Sequence, residues 1–384
     1  YIRKLKNKTI HIVSLDVPFP PDYGCMIDVF YRIKVLHELG FSIILHTFTY
    51  GRGTPKELEK YCQKIYYYNR RKSIWDLFKK RPFIVQTRIS NQLLNRLLAD
   101  NYPILLEGTH CCWYLEHPAI QQRKTIVRMH NIEHDYYYEL MKTARGLKKL
   151  FFFSEYVKLK RYESIVKKAP YILCVKKSDN DHYLQLNENT ILMPSSLPEF
   201  AKNEIVELKD YCLFHGNLSI AENYLSAKWL LDKIIPNLNN IPFVIAGKNP
   251  SEALKKLAEK KRIELIESPS DEVMKKLIAE ARIHVLPSTQ DTGLKLKLFA
   301  VLQTSGTIIV NSNMIQGNGL KKYCIVADTA EEFVATIQQE YLKPIDLNER
   351  KERIESFLKE TNTKALIIRT FREIGLLDFD DDKR

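Results

Sequence analysis

The sequence predicts an α/β chain of two successive doubly wound, Rossmann-like domains, and three observations carry that prediction. Short apolar runs of strand length alternate with stretches of helix length along almost the whole chain. The alternation breaks once, at residues 192–207, where Pro194 and Pro198 mark a linker. Residues 281–306, ARIHVLPSTQDTGLKLKLFAVLQTSG, then run strand, polar turn and helix in one stretch, the unit with which doubly wound folds meet phosphates.

The elements follow in order. Residues 9–15 (TIHIVSL) read as a buried strand, and a loop stiffened by Pro18, Pro20 and Pro21 runs from Asp16 to Gly24. A helix spans about 25–39 and ends at Gly40, and 42–48 form the second strand, completing a right-handed βαβ unit. The loop lacks GxGxxG, which disfavours a nicotinamide cofactor. Further strands are expected at 65–68, 104–106, 125–128 and 171–175, with helices at 88–99 and 147–168. A second series begins after the linker: strand 211–214, helix 221–235, strand 243–245, helix 251–261, strand 263–266 and helix 270–281. The 281–306 stretch, strands 308–310 and 324–327, and terminal helices complete it. The domains are thus expected at 1–196 and 208–358, with a cleft between the C-terminal edges of two sheets, where ligands bind.

Composition narrows the classes. The 384 residues are 45% hydrophobic, enough for two full cores, and no apolar run approaches the roughly 18 residues of a membrane span. The basic start flows into a strand without a cleavable apolar region, so no signal peptide is expected. Cysteines 25, 62, 111, 112, 174, 212 and 324 are scattered without CxxC spacing, which suggests free thiols in a reducing cytoplasm and offers no zinc motif. Residues 1–200 hold 32 Lys and Arg against 19 Asp and Glu, whereas 201–384 hold 27 of each. The whole excess of +13 belongs to the first half. No nucleic-acid motif accompanies it, so an anionic membrane surface, or an acceptor anchored in one, fits better.

Several groups could carry chemistry. Gly293 is expected to open a helix, with Lys295 and Lys297 in its first turn, where the helix dipole alone favours acids. Two cations there suggest a bound anion; the plainer alternative is a pair of solvated lysines. His130-Asn131-Ile132-Glu133-His134 follows a strand but lacks the HExxH order of a zinc helix. Glu133 reads equally as a first-turn helix charge and His134 as a surface residue. Glu107-Gly108-Thr109-His110 ends another buried strand, where a carboxylate suits positioning or deprotonating an acceptor hydroxyl, or pairing with nearby cations. Asp16, after the first strand, is a weaker candidate. In 147–168, LKKLFFFSEYVKLKRYESIVKK, three consecutive phenylalanines cannot share one helix face. The stretch either docks on an anionic bilayer or packs on the sheet; Arg70–Lys72 and Lys79–Arg81, around Trp75, read as solvated faces or as membrane or lipid-diphosphate contacts.

Five phrases in order, HIVSLDVPFPPDYGCMIDVFYRIKVLHELGF, HNIEHDYY, LFHGNLSIAENYLSAKWL, FVIAGKNP and TGLKLKL, make the chain resemble family-4-type glycosyltransferases of the GT-B fold, nearest to bacterial cell-surface polysaccharide glycosyltransferases. The resemblance covers nearly the whole chain. It implies a retaining, metal-independent transfer from a nucleotide-diphosphate sugar to a lipid-linked or surface-glycan acceptor. The nucleotide would sit mainly on the second domain and the acceptor on the first, with the last helix, 361–376, packing back on the first domain. It implies that Asp291 contacts donor sugar hydroxyls and that His130 faces the donor sugar. Gly24, Gly216, Asn217, Gly247, Thr292, Gly293 and Lys297 fall on donor and phosphate positions, and Lys295 is expected to stabilise the leaving diphosphate. Glu107, His110 and Glu133 are left on the acceptor side. Three departures stand out: Phe299 replaces a ribose-binding glutamate, Asn217 and Glu222 replace a cationic phosphate clamp, and Cys25 replaces a second glycine. Lys295 and Lys297 are the candidate substitutes for that clamp. No metal or other cofactor is expected, and the place implied is the cytoplasm, peripherally at the inner membrane face. A non-catalytic partner subunit with a degenerate donor site and a nucleotide-sugar epimerase are the alternatives.

Overall fold

The computed structural model describes residues 8–197, 206–290, 295–316 and 319–378. The chain divides into two compact units, Tyr1–Pro198 with Asn362–Arg384, and Glu199–Thr361.

The first unit runs β1 (Thr9–Ser14), α1 (Gly24–Glu38), β2 (Ser42–Thr49), β3 (Lys64–Asn69), α2 (Phe83–Gln86), α3 (Asn91–Leu98), β4 (Ile104–Glu107), α4 (Pro118–Gln121), β5 (Thr125–Met129), α5 (Glu133–Thr143), α6 (Leu147–Tyr162), β6 (Tyr171–Cys174), α7 (Lys177–Leu184) and β7 (Thr190–Leu192). The second continues with β8 (Lys209–Asn217), α8 (Ala221–Trp229), β9 (Phe243–Lys248), α9 (Glu252–Lys260), β10 (Glu264–Glu267), α10 (Asp271–Glu280), β11 (Ala281–Leu286), α11 (Leu296–Leu302), β12 (Thr307–Val310), α12 (Ser312–Ile315), β13 (Ile325–Val326), α13 (Ala330–Leu342) and α14 (Leu347–Thr361). A last helix, α15 (Thr363–Glu373), belongs to the first unit.

Each unit holds one parallel sheet. The first is ordered β3-β2-β1-β4-β5-β6-β7 and the second β10-β9-β8-β11-β12-β13. In each, the strand order reverses once, between β1 and β4 and between β8 and β11. Crossover helices cover both faces, so strands such as β1 are buried along their whole length. Ile10 and Ile12 join a core with Met26, Val29 and Ile33 of α1 and Ile367 and Phe371 of α15. Val13, facing the other way, packs with Leu93, Leu97 and Tyr114.

Several elements differ from the expected bounds, each for a local reason. The helix expected at 88–99 starts at Asn91, because the Ser90 hydroxyl accepts from the Leu93 amide as an N-cap. The helix expected to reach Ile235 leaves α geometry after Trp229, through a π turn into a short 3-10 turn at Pro236. The stretch at 147–168 is α-helical only to Tyr162 and ends as a 3-10 turn. The Phe triplet is divided: Phe151 and Phe152 stack edge-on against Phe83 and Tyr137, while Phe153 points out. The expectation that Gly293 opens a helix is corrected, since the helix starts at Leu296 with Lys295 at its N-cap; Asp291, Thr292 and Gly293 lie outside the described residues.

Phe371 is fully buried and meets Phe41 edge-on at 5.8 Å between centroids. Its loss opens a cavity that neighbouring elements cannot fill. Phe371→Ala is expected to cost about 3–5 kcal/mol, read as a lower urea midpoint at unchanged m-value.

Candidate functional site

In each doubly wound unit the place to look is the C-terminal edge of the strands where the order reverses. In the first unit, β4 ends on Glu107, β5 is followed by His130, and the loop after β1 carries Asp16 and leads into α1. Asp28, one turn into α1, is fully buried among these groups. Its carboxylate accepts from Arg32 Nη1 at 2.7 Å, from Arg128 Nε at 2.9 Å and from the Ser196 amide at 2.6 Å. Burial by itself would raise this carboxyl; the Arg128 and Arg32 guanidiniums outweigh burial and hold it well below the usual carboxylate range. Arg32 also donates to Glu107 Oε1, and Arg128 to the carbonyls of Met193 and Pro194.

His130 stands on this base. Its Nε2 lies 3.0 Å from Glu107 Oε2 and its Nδ1 3.7 Å from Asp28 Oδ2, and it is the member of the group that retains exposure. The ring is therefore steered by a carboxylate, which in turn is held by an arginine. Of the two readings of Glu107, the structure shows the pairing with a cation: it is completely buried and bonded to Arg32 and His130, so it positions the histidine rather than an acceptor hydroxyl. Asp28, Glu107 and His130 offer donor atoms within 4.8 Å of one another, the one such group among the described residues. Two guanidiniums already occupy those carboxylates, an arrangement that disfavours a divalent cation.

Glu133, the first residue of α5, is buried, and its Oε1 lies 3.9 Å from His110 Nδ1. Burial pushes the Glu133 carboxyl up to about 7, against the pull of Arg88 and with the push of Asp179. Burial, with Arg88 and Arg70 nearby, drives His110 well below its ordinary value, so its ring is neutral. Arg88 itself donates to the carbonyls of Leu15 and Ile84. His134 is corrected from a surface residue to a buried one, 3.2 Å from Glu163. Gly24 is the first residue of α1, and the hydroxyl of Tyr23, just before it, donates to Asp16 at 3.2 Å.

In the second unit, β8 ends on Gly216 and Asn217 beside Gly247 of β9. A Cβ on Gly247 would lie 1.9 Å from the Gly216 carbonyl oxygen, so a glycine is required there for the two strands to approach. Asn217 Oδ1 is taken by the Ser219 amide and hydroxyl, closing a turn. Lys295 Nζ donates to Glu222 Oε1 at 2.6 Å and to Ser288 Oγ at 3.0 Å, while the Ser288 hydroxyl also donates to Glu222. Lys297 Nζ donates to Asn223 Oδ1 at 3.0 Å and lies 4.8 Å from the Phe214 ring centroid. Both lysines thus reach the first turn of α8, the place where Asn217 and Glu222 leave the clamp without cations. Lys295 does so already paired with Glu222 and Ser288. Burial lowers Lys297 to about 8, with Glu222 raising it and Lys295 lowering it further. Phe299 is buried against Phe357 of α14, at 6.2 Å between centroids, and cannot stand in for a ribose carboxylate.

Asp28, Arg32 and Arg128 escaped notice because their spacing in sequence is arbitrary; only the fact that three charges stand on apolar faces hinted at them. Ser288 and the buried His215, held at about 3 by burial beside Lys297, carried no signal beyond their place at a strand end.

Two doubly wound units, each with an all-parallel sheet, form the GT-B architecture of glycosyltransferases. Residues 209–341, within the second unit, match the family model Glycosyl transferases group 1, so that unit is a domain of that family. A protein of Klebsiella pneumoniae described as an uncharacterized 44.6 kDa protein in the cps region is 27% identical over 333 residues, covering 81% of this chain and 84% of its own. Among solved structures, a glycosyltransferase from Rickettsia africae ESF-5 superposes with a TM-score of 0.64 at 14% identity, over 98% of this chain and 100% of that one. WaaG, a glycosyltransferase involved in lipopolysaccharide biosynthesis, gives 0.60 at 12% identity, over 96% and 100%. The chain therefore resembles bacterial polysaccharide glycosyltransferases, and no described helix is long and apolar enough to cross a membrane.

The raised carboxyl of Glu133 has a measurable consequence for stability. Unfolded, it titrates near 4.5; folded, near 7. Between those values the native state holds the extra proton, so this group's contribution falls as pH rises from about 4.5 to 7 and stays unfavourable above. Glu133→Gln is expected to gain up to about 3 kcal/mol relative to wild type on going from pH 4 to pH 8, measured by urea unfolding at the two pH values.

Proposed function

We propose that the chain transfers a sugar from a nucleotide-diphosphate sugar to a lipid-linked or surface-glycan acceptor, as a hexosyltransferase, with retention and without a metal. The observation that carries this reading is the placement of Lys295 and Lys297 at the reversal of strand order in a group 1 glycosyltransferase domain, both reaching the first turn of α8. A departing diphosphate gains negative charge as the glycosidic bond breaks, and fixed cations stabilise that charge more than they stabilise the ground state. In a front-side mechanism the leaving phosphate takes the acceptor's proton, so no enzymic nucleophile is needed. His130, fixed by Glu107, is the donor-facing group of the first unit; Glu133, held near neutrality, and the neutral His110 are the polar groups offered to an acceptor. The reading places the protein in the cytoplasm. The carboxylates that would bind a metal are spent on Arg32 and Arg128, which supports a metal-independent reaction.

Glu222 favours a second reading, a partner subunit whose donor site has degenerated. Its carboxylate sits on Lys295 where a phosphate would compete with it. Calorimetric titration with uridine and guanosine diphosphates separates the two readings: saturable binding supports the enzyme, and none by any nucleotide supports the partner subunit. Transfer to an acceptor with release of the nucleoside diphosphate is the decisive assay, and it is expected to proceed unchanged in EDTA.

Two substitutions test the lysines. Glu222→Gln removes the competing carboxylate and is expected to tighten nucleoside diphosphate binding by about tenfold. Lys297 carries its proton below about 8, so affinity is expected to fall roughly tenfold between pH 7 and pH 9, and Lys297→Met should abolish that dependence.

A further inference from the structure

Among the described residues, eight large apolar side chains are more than half exposed, and six of them fall in two short segments of the first unit. Ile74, Trp75 and Phe78 are 68%, 72% and 79% exposed on a single 3-10 turn, and Leu147, Leu150 and Phe153 stand out from α6. A seventh, Tyr50, has Lys72 Nζ 3.8 Å from its ring centroid. We propose that this surface docks the protein on an anionic lipid bilayer, with Trp75 and Phe78 as the inserted anchors.

The turn is built to hold its apolar side chains outward. Ser73 caps it, its hydroxyl accepting from the Trp75 amide and its own amide donating to the buried Asp76 carboxylate. The Leu77 carbonyl accepts from Lys158 Nζ at 2.6 Å, tying the turn to α6. Lys158 is also paired with Glu155, whose other oxygen accepts from the Phe83 amide. Leu147 lies eleven residues before Lys158, three turns along α6, so the two leave the helix on nearly one stripe, with Leu150 next to it. The side of α6 that holds the turn is therefore the side on which Leu147 and Leu150 emerge.

Cations ring the patch. Lys72, Lys79 and Lys80 flank the turn and Lys148 and Lys149 flank Leu147, all exposed, and neither 70–81 nor 144–154 carries an exposed carboxylate. Aromatic side chains at a water boundary with lysines beside them fit acyl chains below and anionic headgroups around them. A soluble polyanion would use the lysines and leave Trp75 and Phe78 without a partner. A second copy of the chain would bring like charges together. The bilayer satisfies both halves of the surface. It would also bring the protein to a lipid-linked acceptor, a consequence that rests on the proposed function; the docking itself does not.

The test uses the full chain with vesicles of phosphatidylcholine alone and of phosphatidylcholine with one quarter phosphatidylglycerol. Flotation is expected with the anionic vesicles only and is expected to be lost in 0.5 M salt. Trp75 is the most exposed of the three tryptophans, so its emission should shift to the blue on binding, a shift absent from Trp75→Phe. The double variant Trp75→Ser, Phe78→Ser should lose at least about tenfold in partitioning while keeping its melting temperature and its calorimetric nucleotide binding. Absence of flotation with anionic vesicles, or flotation unaffected by the double variant, overturns the proposal. So does a wild-type dimer in sedimentation that the double variant abolishes. Because nucleotide titration is read separately, failure here leaves the glycosyltransferase reading standing, and the reverse.

Discussion

The first unit depends on a charge that has no water. Asp28 is fully buried in α1 beneath the strand edge, and its stability as a carboxylate comes from Arg32 and Arg128 together. Such an ion cluster is poor evidence of net stability, because taking each charge out of water costs about what the pairing returns. What it fixes is geometry. Arg32 bridges from Asp28 to Glu107, Glu107 holds His130, and Arg128 secures the carbonyls of Met193 and Pro194 at the end of the unit's last strand. α1, β4, β5 and the segment after β7 are thereby registered against one another at the edge where the chemistry is proposed.

The second unit uses one ion group at the corresponding edge, with a different consequence. Lys295, Ser288 and Glu222 form a mutually bonded set, with Lys295 and Ser288 both donating to Glu222 Oε1. The Lys295 and Glu222 charges offset one another, so an anionic ligand proposed for this edge would have to displace the carboxylate. Lys297 supplies the remaining cation, and its burial over Phe214 makes that cation dependent on pH. On the proposed reading, affinity for a diphosphate at this edge would be a competition between two anions for one lysine.

The alternation of strands and helices was legible because parallel strands buried on both faces carry short apolar runs, as in the ILLE of β4, the FVIA of β9 and the YCLF within β8. What escaped was β7, only Thr190–Leu192, too short to show any period and held by its neighbour β6. Helix ends escaped where tertiary contacts outweighed local preference, as at the π turn after Trp229. Of the candidate residues, His130 and Glu133 stood out because they follow a strand. The groups that hold them did not, since Asp28, Arg32 and Arg128 meet only across elements and no spacing in the sequence encodes that meeting. Lys295 and Lys297 were legible as misplaced cations on a helix, but their partners Glu222 and Asn223, on α8, were visible only in the fold.

The uneven charge along the chain also resolves into two uses. Several arginines of the first unit turn inward: Arg32 and Arg128 serve carboxylates, and Arg88, Arg123 and Arg128 donate to carbonyls of Leu15, Leu97 and Met193. A guanidinium has five donors in a plane and is more weakly hydrated than an ammonium, so it can be buried where loops leave several carbonyls unbonded. Exposed lysines carry charge to solvent, among them Lys72, Lys80, Lys148 and Lys149, while Lys79 is paired with Asp76 at 2.8 Å. An excess of +13 thus overstates the field available to a partner, because part of it neutralises buried carboxylates and loop carbonyls. Part of what remains stands beside Trp75 and Leu147, and attraction at that patch would orient a docking protein as well as capture it.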